Sequence, residues 1–139
     1  MNLLNRGTDY AIRAICFMAK NNQGKTSVRD LVKELIIPRP FLRKILQILN
    51  KKGLLYSYKG QGGGFALAKP PNKIFVVDLI EIFQGPMKLN ECFFKKMSCP
   101  NTHGCALKRK IDSIERYVIR ELKSITIGSL IKGKVNDEL

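Results

Sequence analysis

The sequence lacks the features of several protein classes. It has no apolar run that approaches the roughly 18 residues of a membrane span. It has no nucleophile beside a base, no paired carboxylates and no cofactor-binding motif, and its single histidine leaves little acid–base chemistry. Its N-terminus has no charged region followed by an apolar core and a cleavage site. We therefore expect a cytoplasmic protein that is not an enzyme and does not enter a membrane.

Negative charge is also scarce. The 139 residues carry 11 Asp and Glu against 25 Lys and Arg, which gives a formal net charge of +14. Residues 1–75 hold 14 of the basic and 3 of the acidic side chains, a net charge of +11, and residues 76–139 hold 11 and 8, a net charge of +3. This excess favours a polyanionic partner, either nucleic acid or an anionic membrane surface, although a merely solubilising surface would have the same charge.

The basic half of the chain predicts three helices. Apolar residues recur at helical spacing over residues 5–20. Ser27 and Asp30 resemble a capping box that opens a second helix, and a third is expected over residues 40–52, from Pro40 to the C-terminal cap Gly53. The second and third helices are expected to bury Val28, Leu31, Val32, Leu35, Phe41, Leu42, Ile45, Ile48 and Leu49.

Two short helices joined by a tight turn have the form of a helix-turn-helix, whose second helix enters the major groove of DNA. Arg can donate two hydrogen bonds to guanine there, and Gln can pair with adenine. A core helix with a solvated charged face is the alternative interpretation. The candidate DNA-binding residues on the outer face of the third helix are Arg39, Arg43, Lys44 and Gln47.

A glycine-rich hairpin is predicted directly after the third helix. Residues 54–58 and 65–68 are rich in strand formers, and residues 59–64 form the turn between them. This position is typical of a wing, whose backbone can approach a phosphate or enter the minor groove. A nucleotide-binding loop is disfavoured, because no Gly-Lys-Ser/Thr follows and no helix starts there. The wing adds Lys59, Gly60, Gln61 and Gly62 to the DNA-binding candidates.

Beyond the wing, the sequence predicts a short helix over residues 76–83 and a long one after residue 105. The long helix carries a continuous apolar stripe that would suit either the chain's own core or a contact between two copies. The members of this stripe are Leu107, Ile111, Ile114, Val118, Leu122 and Ile125.

Three of the four cysteines, Cys92, Cys99 and Cys105, fall in the loop between these helices, whereas Cys16 lies in the apolar pattern of the first helix. This arrangement predicts reduced thiols and not a framework of disulfides. Clustered thiols indicate a metal site, a redox role or coincidence. The spacing C-x6-C-x5-C is looser than that of structural zinc sites, which argues against zinc.

Four motifs together resemble one protein family: residues 7–14 (GTDYAIRA), 59–65 (KGQGGGF) and 67–71 (LAKPP), and the cysteine triplet. Their order, over nearly the whole chain, is similar to that of the Rrf-two family of dimeric bacterial winged-helix transcription regulators, whose iron-sulfur branch includes IscR, NsrR and RirA. The resemblance implies a homodimer that binds a double-stranded DNA operator as a repressor and pairs through its long helix.

The resemblance also implies an iron-sulfur cluster, 2Fe-2S or 4Fe-4S, bound by the three loop cysteines. Such clusters usually take four ligands. Some family members place a histidine three residues after the last cysteine, where this chain has Lys108. NsrR-like members use an acidic residue of the partner subunit's first helix, and Asp9 matches it. His103 is a local alternative ligand, and an ordinary cap or salt bridge is the alternative role for Asp9.

We therefore predict a mainly α protein with a small β-hairpin. A winged helix-turn-helix domain is expected over residues 1–75, and a cysteine loop with a dimerisation helix over residues 76–139. The predicted function is transcription regulation that responds to nitric oxide, redox state or iron through the cluster.

Three alternatives to this function stay open. The cysteines could act as thiol redox switches without a cluster, the loop could be the active centre of an enzyme or metal-delivery protein, or the basic face could bind membranes or proteins. The sequence also departs from the family around the turn, at Pro38, Pro40 and Arg43. The base preference of other members therefore does not carry over.

Overall fold

The computed structural model describes residues 3–21, 24–89 and 105–133. Cys92, Cys99 and His103 lie outside these residues. The described part of the chain forms helices and one two-stranded antiparallel sheet, as the sequence predicted. In chain order the elements are α1 (Arg6–Lys20), α2 (Val28–Leu35), α3 (Arg39–Lys51), β1 (Leu55–Tyr58), β2 (Gly64–Leu67), a 3-10 turn (Pro71–Lys73), α4 (Val76–Gln84), α5 (Ala106–Lys123) and α6 (Ile127–Lys132).

The ends of the first three helices follow from their capping residues. Asn5 caps α1 by accepting the backbone N–H of Thr8 at 2.8 Å, and Ser27 caps α2 by accepting that of Asp30 at 3.1 Å. Pro40 lies in the first turn of α3, where its missing N–H costs no helical hydrogen bond. Gly53, with φ of 80°, follows the end of α3 in a conformation that favours glycine. The positions predicted for Ser27, Pro40 and Gly53 are confirmed, whereas Ser27 caps α2 without the reciprocal hydrogen bond of the predicted capping box.

The main core lies where α1, α2, α3 and the wing converge. Leu42, Ile45, Leu46 and Leu49 form the buried stripe of α3 at helical spacing. The prediction for Phe41 was wrong, because this ring is 46% exposed. It lies at the margin of the stripe and packs edge-to-face on a partner ring of α1, that of Tyr10, with the ring centroids 6.1 Å apart.

The remaining predictions of burial on α2 and α3 are met to different degrees. Leu31 is fully buried. The other predicted core residues of these two helices are only partly buried: Val28, Val32, Leu35 and Ile48.

The C-terminal helices pack back onto the first one. Both α4 and α6 contact α1, and Leu79 and Ile127 belong to the same core as the helix-turn-helix. An isolated bridge pairs Phe75 with Thr126, and the N–H of Ile127 donates to the carbonyl of Ile74 at 2.9 Å. The core therefore crosses residue 75, and the division into residues 1–75 and 76–139 stays a prediction about separate roles.

The predicted apolar stripe of α5 has a covered part and an exposed part. Near its end, Leu122 and Val118 pack with α4 in a second small core. Nearer its start, Leu107 is 68% exposed and Ile114 is 44% exposed. The stripe therefore covers the chain's own core at one end and is uncovered by the described residues at the other. In the described part of the chain, no helix is both long enough and apolar enough to cross a membrane.

Candidate functional site

The outer face of α3 presents the predicted DNA-binding side chains. Arg39, Arg43 and Gln47 follow each other at intervals of four residues and so share one side of the helix. All three are exposed, as is Lys44 beside them. The buried stripe on the opposite side anchors α3 in the core, so these side chains project from a rigid helix.

The cations on this face are free to meet an anionic partner. The ion pairs found among residues 3–21, 24–89 and 105–133 join Asp9 to Arg13 and Lys108 to Asp112, and neither pair involves α3. Arg39, Arg43 and Lys44 therefore have no carboxylate partner among the described residues. Unpaired Arg and Lys on one helix face attract the phosphates of DNA.

The wing is a tight hairpin beside α3. Its strands pair from Leu55 with Leu67 to Tyr58 with Gly64, so residues 59–63 form the loop. Lys59, Gly60, Gln61 and Gly62 are all exposed in this loop.

The backbone geometry of the wing explains why its loop contains glycines. Gly60 and Gly62 have φ of 90° and 72°, which larger residues rarely adopt. A Cβ on Gly63 would collide with the carbonyl oxygen of Tyr58. The glycines therefore make the tight turn possible, whether or not they also allow a close approach to DNA.

Lys25 is a basic residue at this surface that sequence reasoning missed. Its Nζ lies 5.0 Å from the centroid of the exposed Tyr58 ring, a cation–π contact with β1. The adjacent Thr26 exchanges two backbone hydrogen bonds of 2.8 Å with Phe65 and so adds an edge to the hairpin. Lys25 lies in a connection with no periodic pattern, and only the long-range pairing places it beside the wing.

Cys105 forms the N-terminal cap of α5. Its Sγ accepts the backbone N–H of Lys108 at 3.4 Å, and its thiol is free and half-buried. The side chain of Lys108 pairs with Asp112 at 2.9 Å along the same helix. The last residue of the cysteine triplet is therefore fixed to the start of the helix that carries the apolar stripe.

Cys16 lies in a different environment. It is half-buried in α1 against the main core. Burial raises the pKa of its thiol, and the nearby Lys20 lowers this pKa by a smaller amount. A half-buried thiol whose raised pKa disfavours the thiolate suits a structural role better than a metal-ligating one.

Asp9 lies in the first turn of α1, where its carboxylate pairs with Nε of Arg13 at 3.1 Å. The residue before it, Thr8, is fully buried and bonded to Gln84 at the end of α4. Residues 84–89 line a cleft of about 220 Å³ together with Leu3 and Ile80. The N–H of Leu89 donates to Glu115 Oε1 at 3.0 Å, which links this segment to α5.

Of the candidate cluster ligands, Cys105 and Asp9 lie among the described residues. Within residues 3–21, 24–89 and 105–133, no three Cys, His, Asp or Glu side chains come together as a metal site. Cys105 alone represents the triplet there, with a free thiol at the positive end of a helix dipole. Soft thiolates are the usual ligands of iron-sulfur clusters, so the chemistry of this residue suits the cofactor.

Comparison with known proteins identifies the family. The family model of Rrf2, described as an iron-dependent transcriptional regulator, matches residues 4–133. This chain belongs to the Rrf2 family. Membership confirms the resemblance to the Rrf-two (Rrf2) family and the prediction of a DNA-binding transcription regulator that is not an enzyme.

Two relatives illustrate the similarity. A protein of Aquifex aeolicus assigned to the HTH-type transcriptional regulators is 36% identical over 124 residues, which are 88% of this chain and 86% of that protein. The HTH-type transcriptional regulator NsrR of Oceanobacillus iheyensis is 32% identical over 133 residues, 94% and 90% of the two chains.

Two solved structures confirm the fold of this Rrf2 protein. The global cysteine regulator CymR of B. subtilis has a TM-score of 0.81 at 23% identity and covers 96% of this chain and 98% of its own. IscR of T. potens has a TM-score of 0.75 at 22% identity, with 99% and 92% covered. The winged-helix architecture predicted from the sequence is therefore confirmed.

Proposed function

We propose that this Rrf2 protein is a homodimeric repressor whose affinity for its operator depends on an iron-sulfur cluster bound by Cys92, Cys99 and Cys105. The observation that carries the proposal is the position of Cys105 as the cap of α5. One residue then belongs both to the cysteine triplet and to the proposed dimer helix. The 32% identity to an NsrR protein supports a sensor of this kind.

DNA recognition is assigned to two surfaces. Arg43 and Gln47, four residues apart on exposed α3, are proposed to read bases in the major groove, with Arg39 and Lys44 beside them on phosphates. Lys59 and the loop 60–62 are proposed to contact the backbone or the minor groove. Lys25 joins this second surface because its contact with Tyr58 holds it against the wing.

The uncovered end of the α5 stripe is proposed to pair with a second copy of the chain. Leu107 and Ile114 are exposed although both are large and apolar. Burying them against the same helix of another chain would remove that surface from water. A symmetric contact also matches the two half-sites that helix-turn-helix dimers recognise.

When bound, an iron-sulfur cluster supplies iron sites that react with nitric oxide or oxygen or are lost when iron is scarce. The chain's own part is to convert ligation into a change at the DNA face. The Sγ of Cys105 accepts a hydrogen bond from the first turn of α5, and Glu115 of α5 accepts one from the N–H of Leu89. A change in the ligation of this thiol therefore acts on α5. Leu122 of α5 packs on α4, and α4 contacts α1, so the change also reaches the core of the helix-turn-helix.

The fourth ligand is proposed to be Asp9 of the partner subunit. A carboxylate is a harder ligand than a thiolate and would hold iron less firmly, which suits a sensor. The two parts of the chain then have separate roles, with DNA reading in residues 1–75 and sensing with pairing in residues 76–139. The protein is proposed to act in the cytoplasm, where the thiols of such a site stay reduced.

A cluster-free thiol switch is the second candidate. The free, half-buried thiol of Cys105 favours it, because oxidation of this sulfur would remove the cap of α5. The two candidates differ in iron and sulfide content.

The experiment measures iron, acid-labile sulfide and visible absorption of anaerobically purified protein and of four Cys→Ala variants. Changes at Cys92, Cys99 and Cys105 should each remove iron and sulfide. Cys16→Ala is the matched control and should retain both. Colourless wild-type protein would favour the thiol switch, and equal losses in all four variants would contradict the assignment of ligands.

A further inference from the structure

Ile36 has an unusual backbone conformation in the turn of the helix-turn-helix. Among the described residues other than glycine, it is the one with positive φ, at φ 54° and ψ 45°. This left-handed region crowds the Cβ of every L-residue, and a β-branched side chain is a genuine outlier there. Glycine or asparagine at this helix C-terminus would avoid the strain.

The fold gains nothing visible from an isoleucine at this position. The side chain of Ile36 is 88% exposed, the highest value among the large apolar residues described. The adjacent Ile37 is 2% exposed and anchors the turn in the core. The cap hydrogen bond at Ile36 is made by its backbone N–H to Val32, which any residue but proline would provide.

Strain that the surrounding contacts do not explain is a reason to look for function. Ile36 precedes Arg39, the first residue of α3, by three positions. In a helix-turn-helix, the N-terminal residues of the second helix reach the base edges, so the turn lies at the rim of the major groove. The one apolar group that the bases present in this groove is the 5-methyl group of thymine.

We propose that Ile36 is a specificity-determining DNA contact that packs on the 5-methyl group of a thymine at the edge of each half-site. The proposal rests on DNA binding by α3 and the wing. Arg39 and Arg43 hold α3 to the DNA through charge and hydrogen bonds, while Ile36 adds a purely apolar contact next to them. Its strained backbone turns the side chain away from the core and towards solvent.

The test uses a palindromic duplex selected by the wild-type protein from a random library. Each thymine is replaced in turn by deoxyuridine, in both half-sites together, which removes only the 5-methyl group. At one of these positions, the double replacement should weaken wild-type binding by about fourfold per half-site, which is the loss expected for one methyl group. Ile36→Gly should bind the thymine duplex more weakly than the wild type by the same factor. Its affinity should not change when the same thymines are replaced.

Two further measurements separate this contact from a structural role. Ile36→Leu keeps an apolar side chain and should retain the response to deoxyuridine. The melting temperature of Ile36→Gly should equal or exceed that of the wild type, because the substitution relieves strain and uncovers no core. Weaker DNA binding with a lower melting temperature would overturn the proposal in favour of a structural role.

The remaining outcomes are distinct. If Ile36→Gly has the wild-type affinity and the wild-type response to every deoxyuridine, Ile36 does not contact thymine, while DNA binding by α3 stands. If the wild-type protein enriches no duplex from the library, the proposed function fails, and the assignment of Ile36 fails with it.

Discussion

The hydroxyl oxygen of Thr8 lies 2.7 Å from Oε1 of Gln84, a residue 76 positions later in the chain. The same hydroxyl is 2.9 Å from Oδ1 of Asn5, and Gln84 Oε1 also accepts the backbone N–H of Asn5 at 2.8 Å. Since Thr8 is fully buried, this cluster firmly joins the start of α1 to the end of α4. Asp9 follows Thr8, so the cluster fixes the first turn of the helix that carries the ligand proposed for the partner subunit's site.

The first prediction concerns this cluster. Thr8→Val keeps the shape of the side chain but removes its hydroxyl and so its hydrogen bonds to Gln84 and Asn5, whose oxygens each keep a backbone N–H donor. The expected loss is about 0.5–1.5 kcal/mol in the free energy of unfolding, the usual net contribution of one hydrogen bond. Thr8→Ser is the control that keeps the hydroxyl and should lose less. Urea unfolding curves of the two variants would show the difference, and equal midpoints for Thr8→Val and the wild type would contradict it.

The second prediction separates the two DNA-binding surfaces. Arg43→Ala should cost about 1–3 kcal/mol on the preferred duplex and relax the preference at one base position. Lys59→Ala should weaken binding to every sequence and lower the slope of log affinity against log salt by roughly one. Binding to matched and scrambled duplexes at several salt concentrations tests both. An unchanged sequence preference in Arg43→Ala would show that this residue does not read bases.

The third prediction concerns pairing through α5. Ile114→Glu places a charge on the exposed stripe and should convert the dimer to a monomer at micromolar concentration, because an unpaired charge would be buried. Ser113→Glu adds the same charge to the exposed neighbouring position and is the matched control. Light scattering after size-exclusion chromatography gives the mass of each. A dimeric Ile114→Glu protein would place the contact elsewhere.

The sequence predicted the features that depend on neighbours along the chain. Prolines, caps and helical spacing located α3 and its outer face. Features that depend on distant partners were missed, among them the contact of Lys25 with Tyr58 and the bond between Thr8 and Gln84. Phe41 was wrongly predicted to be buried, because a shift of one residue around a helix decides whether a side chain lies in the core or at its margin. Only the packing of α1 against α3 determines which position it takes.

The fourth prediction tests Asp9 as the ligand from the partner subunit. Asp9→Ala should keep the fold and the dimer, because an exposed pair such as that with Arg13 contributes about 0–1 kcal/mol. It should lose bound iron faster than the wild type. Arg13→Ala breaks the same ion pair but keeps the carboxylate, and this control should lose iron at the wild-type rate. Unchanged spectra and unchanged reaction with nitric oxide in Asp9→Ala would return Asp9 to the role of an ordinary surface acid.

Mixed dimers determine whether this ligand crosses between subunits. In a heterodimer of Asp9→Ala and Cys92→Ala chains, one site has both intact partners and the other has neither. Iron and sulfide should therefore recover to about half of the wild-type content per dimer. No recovery above the two parent variants would mean that Asp9 and the cysteines of the same chain act together.

The most direct test of the whole account is the operator affinity of one anaerobic preparation, measured before and after removal of its cluster at fixed salt. The account predicts a coloured dimer whose affinity changes by about fivefold or more, the lower end of typical coupling between two sites. Cys105→Ala, which lacks the link between loop and α5, should show one affinity throughout. A wild-type protein that binds its operator equally well with and without the cluster would contradict the proposed control of DNA binding.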